Sequence, residues 1–222
     1  MNNIDNKEIL SLNSEKHSIQ QYFSFDITPY STLIYFNAGE YILKEGSFSS
    51  DLYYITDGKA KLYLTHKNGK ISLINFLSAP CFIGEMELIG AQTYANGVQA
   101  LTPCTCLSIS IEDCKDRLLN DNKFLKHLCL FLSKKAIGNT MNYTQNQSYP
   151  LDNRLAAFIL MTANNNLYTE KHTEASEFLG VSYRHLLYVL AKFCQKGILQ
   201  KEVYGYRIID LKSLNSLTHE IK

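Results

Sequence analysis

Between residues 173 and 190 the chain reads Thr-Glu-Ala-Ser-Glu-Phe-Leu-Gly-Val-Ser-Tyr-Arg-His-Leu-Leu-Tyr-Val-Leu. Gly180 stands where a first helix must end in the left-handed region, Val181 is an apolar spacer, and Ser182 offers a hydroxyl to the N-terminus of a second helix; together these predict a helix-turn-helix. At about 3.6 residues per turn, the second helix, 182–195, carries Leu186, Val189, Leu190 and Phe193 on one side and Arg184, Leu187, Tyr188, Ala191 and Gln195 on the other. A guanidinium can bond a guanine edge with two parallel hydrogen bonds in a major groove, so Arg184 is placed to read a base. Ser182, Tyr183, His185 and Tyr188 stand beside it as further candidate contacts, and Lys192 lies one to two turns on. Residues 151–222 hold nine Lys/Arg against seven Asp/Glu, but 181–196 contain Arg184, Lys192, Lys196 and no acid, a local charge that suits a phosphate backbone. The other interpretation is an ordinary helical corner with a solvated arginine.

These side chains need a frame. Helices are expected over 151–162 and 173–179, and a hairpin over 199–209, whose segment Tyr204-Gly205-Tyr206-Arg207 fits a wing touching a phosphate through Lys201 or Arg207. Pro150, after the polar stretch Gln145-Asn146-Gln147-Ser148, marks the start of this domain. Upstream, from about residue 31 to 111, short β-rich runs such as Leu33–Phe36, 41–43, 52–55, 61–64 and 71–74 alternate with glycines. Asp57-Gly58 and Asn68-Gly69 supply the positive φ of tight hairpin turns, and strands linked this way close into a sandwich or roll. From Leu118 and Leu119 through Phe124, Leu125, Leu128, Phe131 and Leu132 to Met141 the pattern turns helical and predicts one long amphipathic helix. Its apolar face is wider than one roll needs to cover, which implies a partner helix. Residues 1–30, with a helical hint in Ile9, Leu12 and Ile19, are expected to pack loosely as a leader.

The order of parts, from about Leu33 to Ile209, resembles the Crp/Fnr family. The glycine ladder and Phe82-Ile83-Gly84-Glu85-Met86-Glu87-Leu88 look like its cyclic-nucleotide-binding β-roll, and Leu179-Gly180-Val181-Ser182-Tyr183-Arg184 like its helix-turn-helix. The segments Ala79-Pro80-Cys81-Phe82-Ile83-Gly84-Glu85, Thr144 to Ser148, Asn153 to Leu160 and Gly180 to Leu190 resemble the YeiL-type branch. The resemblance implies an α+β architecture: an N-terminal antiparallel β-roll of the double-stranded β-helix kind (1–116) as sensor, a long dimerisation helix (117–147), and a C-terminal winged helix-turn-helix (148–222). It further implies a homodimer joined along that helix, a recognition helix in each half of a near-palindromic duplex DNA site, and RNA polymerase as a partner. The family's base-contact positions fall on Tyr183, Arg184 and Tyr188; two of the three are aromatic, so its usual DNA sequence is not carried over.

In members that bind cyclic AMP, a Gly-Glu pair precedes an arginine and a small hydroxyl residue; the glutamate takes the ribose hydroxyl and the arginine neutralises the phosphate. Gly84 and Glu85 match the first half, but residues 92–98 contain no Arg or Lys. A buried phosphate without a cation is costly, so cyclic AMP is not expected and no cofactor is required. Gly84, Glu85, Met86, Tyr94 and Ala95 remain candidates to line a pocket for another effector; alternatively, Glu85 accepts backbone bonds at a strand end.

Cys104 and Cys106 would share one face of a strand, and with Cys81 or Cys114 they form a candidate redox pair or thiolate metal site, against the simpler role of buried thiols. No cysteine precedes Cys81, so the closely spaced cysteines with which the family's oxygen-sensing members hold an iron–sulfur cluster before the roll are absent. The six histidines show no HxH or HExxH spacing, and no phosphate-cradling loop or nucleophile elbow occurs, so an enzyme is not expected. No apolar run approaches a membrane span and neither end resembles a signal peptide, which places the chain in the cytosol. The formal charge of +1 gives no strong overall field. Two other functions stay open: a ligand-binding regulatory module acting through protein contacts, and a metal-dependent enzyme on a roll scaffold.

Overall fold

The computed structural model describes residues 3–4, 19–69 and 71–218. The chain separates into two compact units, residues 1–135 and 136–222. Among the described residues of the first, nine strands form two antiparallel sheets. One has the order β1 (Asn3–Ile4), β2 (Ser31–Phe36), β9 (Cys104–Ser110), β4 (Asp51–Asp57), β7 (Cys81–Ile83); the other β3 (Tyr41–Leu43), β8 (Gly97–Ala100), β5 (Lys59–Thr65), β6 (Ile71–Ser78).

The five-stranded sheet is covered on both faces. Alternate residues point to opposite sides of a strand. On β9, Cys104 and Cys106 enter a core with Ile34, Ile55, Ala60, Val98 and Ala100, whereas Leu107 and Ile109 enter a second core with Leu33, Leu52, Tyr54 and Phe82. Three helices close this second core through Leu88 of α1 (Glu85–Leu88), Cys114 and Leu118 of α2 (Ile111–Leu119), and Phe124 and Leu128 of α3 (Asn122–Ser148). Fully burying one such aliphatic or aromatic side chain contributes about 1.5–3 kcal/mol.

Four local expectations change. Asn68-Gly69 does turn the β5–β6 hairpin, with Gly69 at φ +78°. Asp57-Gly58 instead carries the chain from one sheet to the other, because β4 pairs with β7 and β9 and β5 pairs with β6 and β8. Gly58 is still required there: at φ +102° a Cβ would stand 2.5 Å from the Pro103 carbonyl oxygen. The predicted single helix is two, broken at Asn120-Asp121, where the Asp121 carboxylate accepts from the amides of Lys123 (2.9 Å) and Ser24 (2.7 Å). Burial opposes ionisation of Asp121, but those amides and that of Phe124 outweigh it and hold the carboxyl below its usual range.

The leader is not loosely attached where it is described: Ile19, Phe23 and Ile27 are fully buried, and Phe23 stacks on Phe124. The helical hint at Ile9 and Leu12 lies outside the described residues. The apolar residues assigned to a partner helix are used at home. Phe124 and Leu128 are buried in the second core, and Leu125, Phe131 and Leu132 pack against it. The large apolar side chains that α3 exposes are Leu130, Ile137, Met141 and Tyr143.

In the second unit, α4 (Leu151–Thr162) packs on α6 (Tyr183–Gln195) and α7 (Leu211–Thr218). The expected hairpin is β11 (Leu199–Glu202) and β12 (Gly205–Ile208), extended to three strands by β10 (Leu167–Tyr168). Gly205 makes this possible, since a Cβ there would lie 2.1 Å from the Tyr168 carbonyl oxygen. The Tyr168 ring is fully buried and its hydroxyl has no hydrogen-bond partner among the described residues. An unsatisfied buried hydroxyl costs about 1–3 kcal/mol, so Tyr168→Phe is expected to raise the denaturation midpoint of this unit; a lowered midpoint would mean that the hydroxyl is bonded in solution.

Candidate nucleic-acid interface

The helix-turn-helix forms as its residue types require. α5 (His172–Phe178) ends in a turn where Gly180 adopts φ +64° and the Val181 amide donates to the Ser176 carbonyl at 2.9 Å. The Ser182 hydroxyl accepts from the His185 amide at 3.2 Å and caps α6. Arg154 of α4 braces this turn from behind: its Nη1 donates to the Leu179 carbonyl and its Nε to the Tyr149 carbonyl at 2.9 Å.

The two sides of α6 separate as the wheel predicts. Leu186, Val189, Leu190 and Phe193 are buried, and Ser182, Tyr183, Arg184, His185, Tyr188, Ala191 and Gln195 are exposed. Leu187 is half-buried. Arg184 has no hydrogen-bond or ion-pair partner among the described residues.

Two further candidate cations are already engaged. Lys192 bonds Asp152 of α4, and Arg207 on β12 bonds Glu202 on β11 through both carboxylate oxygens. Each pairing raises the pKa of the cation, through the hydrogen bond first and the opposite charge second. Neither carboxylate was legible as a partner: Asp152 lies forty residues from Lys192, and Glu202 meets Arg207 only across the hairpin. The wing tip is apolar, with Val203 89% and Tyr204 84% exposed, while Lys201 is exposed on the strand behind it.

His172 has a place that spacing did not reveal. Its ring lies 6.2 Å from that of Tyr183 and 5.7 Å from that of Tyr206, centre to centre. Burial first, and the charge of Lys201 second, hold its imidazole below the usual histidine range. The unfolded chain therefore takes up a proton before the folded one does. The stability that neutral His172 contributes is full above the unfolded pKa of about 6.5 and is lost as pH falls from there towards the folded value. The melting temperature of wild type is expected to drop more between neutral and mildly acidic pH than that of His172→Phe; equal drops would contradict the assignment.

In the first unit the candidate effector residues divide. Gly84, at φ +90°, begins α1, and Glu85, whose side chain is 3% exposed, pairs with Nζ of Lys135 on α3 at 2.6 Å. Among the described residues, the hydrogen-bond partner of the Glu85 carboxylate is thus a lysine fifty residues along the chain rather than the backbone groups of a strand end. Met86 is half-buried; Ala95 is buried, with its backbone bonded to Gly46 and Ser47. Tyr94 is exposed, its ring 4.9 Å from that of Phe48.

The four buried cysteines divide as well. Cys81, Cys104 and Cys106 share the core between the sheets, while Cys114 lies in the second core and donates to the Ser110 carbonyl at 2.9 Å. Burial, and then the charge of Glu85, push the Cys81 thiol to about 12. Burial and Asp113 take Cys114 to about 11, and burial raises Cys104 and Cys106 too. Thiols held protonated are poor nucleophiles and poor metal ligands. Among the described residues, no three His, Cys, Asp or Glu side chains gather to hold a metal ion, and no helix is long and apolar enough to cross a membrane.

Residues 33–121 match the family model for the cyclic nucleotide-binding domain. The chain is 50% identical over 199 residues, covering 90% of it and 91% of the relative, to regulatory protein YeiL of Escherichia coli O157:H7. Among solved structures, a transcriptional regulator of the CRP/FNR family from Thermus thermophilus superposes with a TM-score of 0.71 at 20% identity, over 84% of this chain and 98% of that one. FixK2 from Bradyrhizobium japonicum does so with a TM-score of 0.66 at 14% identity, over 84% and 96%.

Proposed function

Because the chain belongs to the Crp/Fnr family of transcriptional regulators, we propose that it binds duplex DNA sequence-specifically as a homodimer. The observation that carries this reading is the face of α6: Tyr183, Arg184, His185 and Tyr188 stand exposed together at its start, on a helix anchored by four buried side chains. Arg184 is the base-reading residue, with Ser182, Tyr183, His185 and Tyr188 beside it. Lys196, and the side chains of Lys201 and Tyr204 on the wing, face the backbone. Lys192 and Arg207 contribute less than their charge suggests, because Asp152 and Glu202 neutralise them.

In this reading residues 1–116 are the sensor roll, 117–147 the dimerisation helix and 148–222 the DNA-binding domain. Leu130, Ile137 and Met141, seven and then four residues apart, supply the seam to a second copy. Two recognition helices then sit about 34 Å apart, one in each half of a near-palindromic site. RNA polymerase is the partner that the family membership suggests, and the cytosol is where such a regulator meets DNA. No cofactor is needed for the contacts named.

A titration of random-sequence duplex with the purified protein across a salt series tests the electrostatic half of this reading. Binding in the micromolar range that weakens with a log–log slope of about −4 or steeper corresponds to roughly five neutralised phosphates. Absence of binding at low salt would favour a module that acts through protein contacts.

A further inference from the structure

We infer that His172 is a positioning residue for base recognition: it clamps Tyr183 at the start of the recognition helix against the wing sheet. This rests on the DNA-binding reading above and adds to it a residue outside the recognition helix.

The geometry is a file of rings within the second unit. Tyr183 is the first residue of α6 and is 48% exposed, so its ring has solvent on one side. On the other side stands His172, 6.2 Å away at 56°. His172 in turn faces Tyr206 of β12 at 5.7 Å and 47°. Tyr206 is buried and lies 6.3 Å from Tyr168, which is fully buried and 6.1 Å from Phe158 of α4. Each link is at the separation where aromatic pairs attract beyond their simple burial.

The first residue of a helix has no preceding turn to restrict its side chain, and a half-exposed tyrosine there would sample several rotamers. Ordering it only on binding would reduce affinity by the entropy of those rotamers. His172 removes that freedom beforehand and ties it to β12. A base contact held within a fraction of an ångström discriminates better than a loose one. The position of Tyr183 is thus set by the wing sheet as well as by its own helix.

The test is a double-mutant cycle on the full-length protein, using the duplex it selects and the same duplex changed one base pair at a time. His172→Ala is expected to reduce affinity for the preferred duplex about tenfold, with the loss concentrated at the base pair that Tyr183→Ala also relaxes. His172→Phe, which keeps a ring, should stay within about twofold of wild type. In a Tyr183→Ala background, His172→Ala should change nothing further. Where His172→Ala lowers the melting temperature into the assay range, His172→Gln supplies the ringless variant.

A second readout needs no DNA. The ring-proton resonances of Tyr183, assigned with labelled tyrosine and a Tyr183→Phe control, should shift towards unstacked values in the ringless variant and not in His172→Phe. Three results would overturn the inference while leaving DNA binding intact: full additivity with Tyr183→Ala, equal losses for the Ala and Phe variants, or a uniform loss across all base pairs. A wild-type protein that selects no duplex would instead overturn the DNA-binding reading, and the inference with it.

Discussion

Arg184→Ala is expected to lower affinity for the selected duplex by about ten- to one-hundredfold, the range for losing one bidentate base contact. Arg184 is exposed, points away from the buried side of α6, and has no partner in the folded chain among the described residues. Its removal therefore leaves folding stability nearly unchanged, and the loss should fall on one base-pair position while binding to unrelated duplex weakens little. Two lysines of the same helix provide the contrast. Lys196, exposed at the helix end, should weaken all duplexes alike when replaced by alanine and make the salt slope shallower by about one. Lys192→Ala should do less, because Asp152 already satisfies that charge. Competition titrations with matched and mismatched duplexes separate the three patterns. Equal losses on every sequence for Arg184→Ala would make it a phosphate contact.

The second large effect lies in the first unit. Lys135→Met should destabilise the first unit by about 3 kcal/mol, since removing one partner of a buried pair leaves the other charge uncompensated. Glu85 is nearly inaccessible and Lys135 is about a quarter exposed, so the damage comes mainly from the orphaned carboxylate. Glu85→Gln combined with Lys135→Met should therefore be less destabilised than Lys135→Met alone, an ordering that chemical denaturation reads directly. The reverse ordering would mean that the pair is not formed in solution. The pairing also bears on ligands. Lys135 already holds Oε1 of Glu85, whose side chain is 3% exposed, and residues 92–98 hold no cation for a phosphate, so millimolar cyclic AMP is expected to leave the melting temperature of the first unit unchanged.

The helix-turn-helix was legible in the sequence because every local signal agrees: a left-handed glycine, a serine cap, four apolar residues on one side of the second helix and no acid in it. The sheet corner at Asp57-Gly58 was not legible as such. A positive φ is a local property, and Gly58 has it, but which strand pairs with which is decided by contacts far along the chain. Strands β7 and β9 are buried on both sides and lack the alternation that reveals a half-exposed strand, and β10 has only two residues. Polar partners were the least legible part. Glu85 with Lys135, and Lys192 with Asp152, meet across fifty and forty residues, and no spacing rule connects them. The histidine count gave no hint of His172 either, because its neighbours are rings from a helix start and a wing strand.

In vitro selection of random duplex DNA on the purified, reduced full-length protein asks directly whether a dimer of this chain reads sequence. A dimeric regulator should enrich a two-fold symmetric sequence with half-sites about one helical turn apart, and Arg184→Ala should lose that enrichment. Enrichment of a single, unpaired half-site would contradict the dimer, and recovery of unbiased sequence by a folded protein would contradict sequence-specific recognition itself.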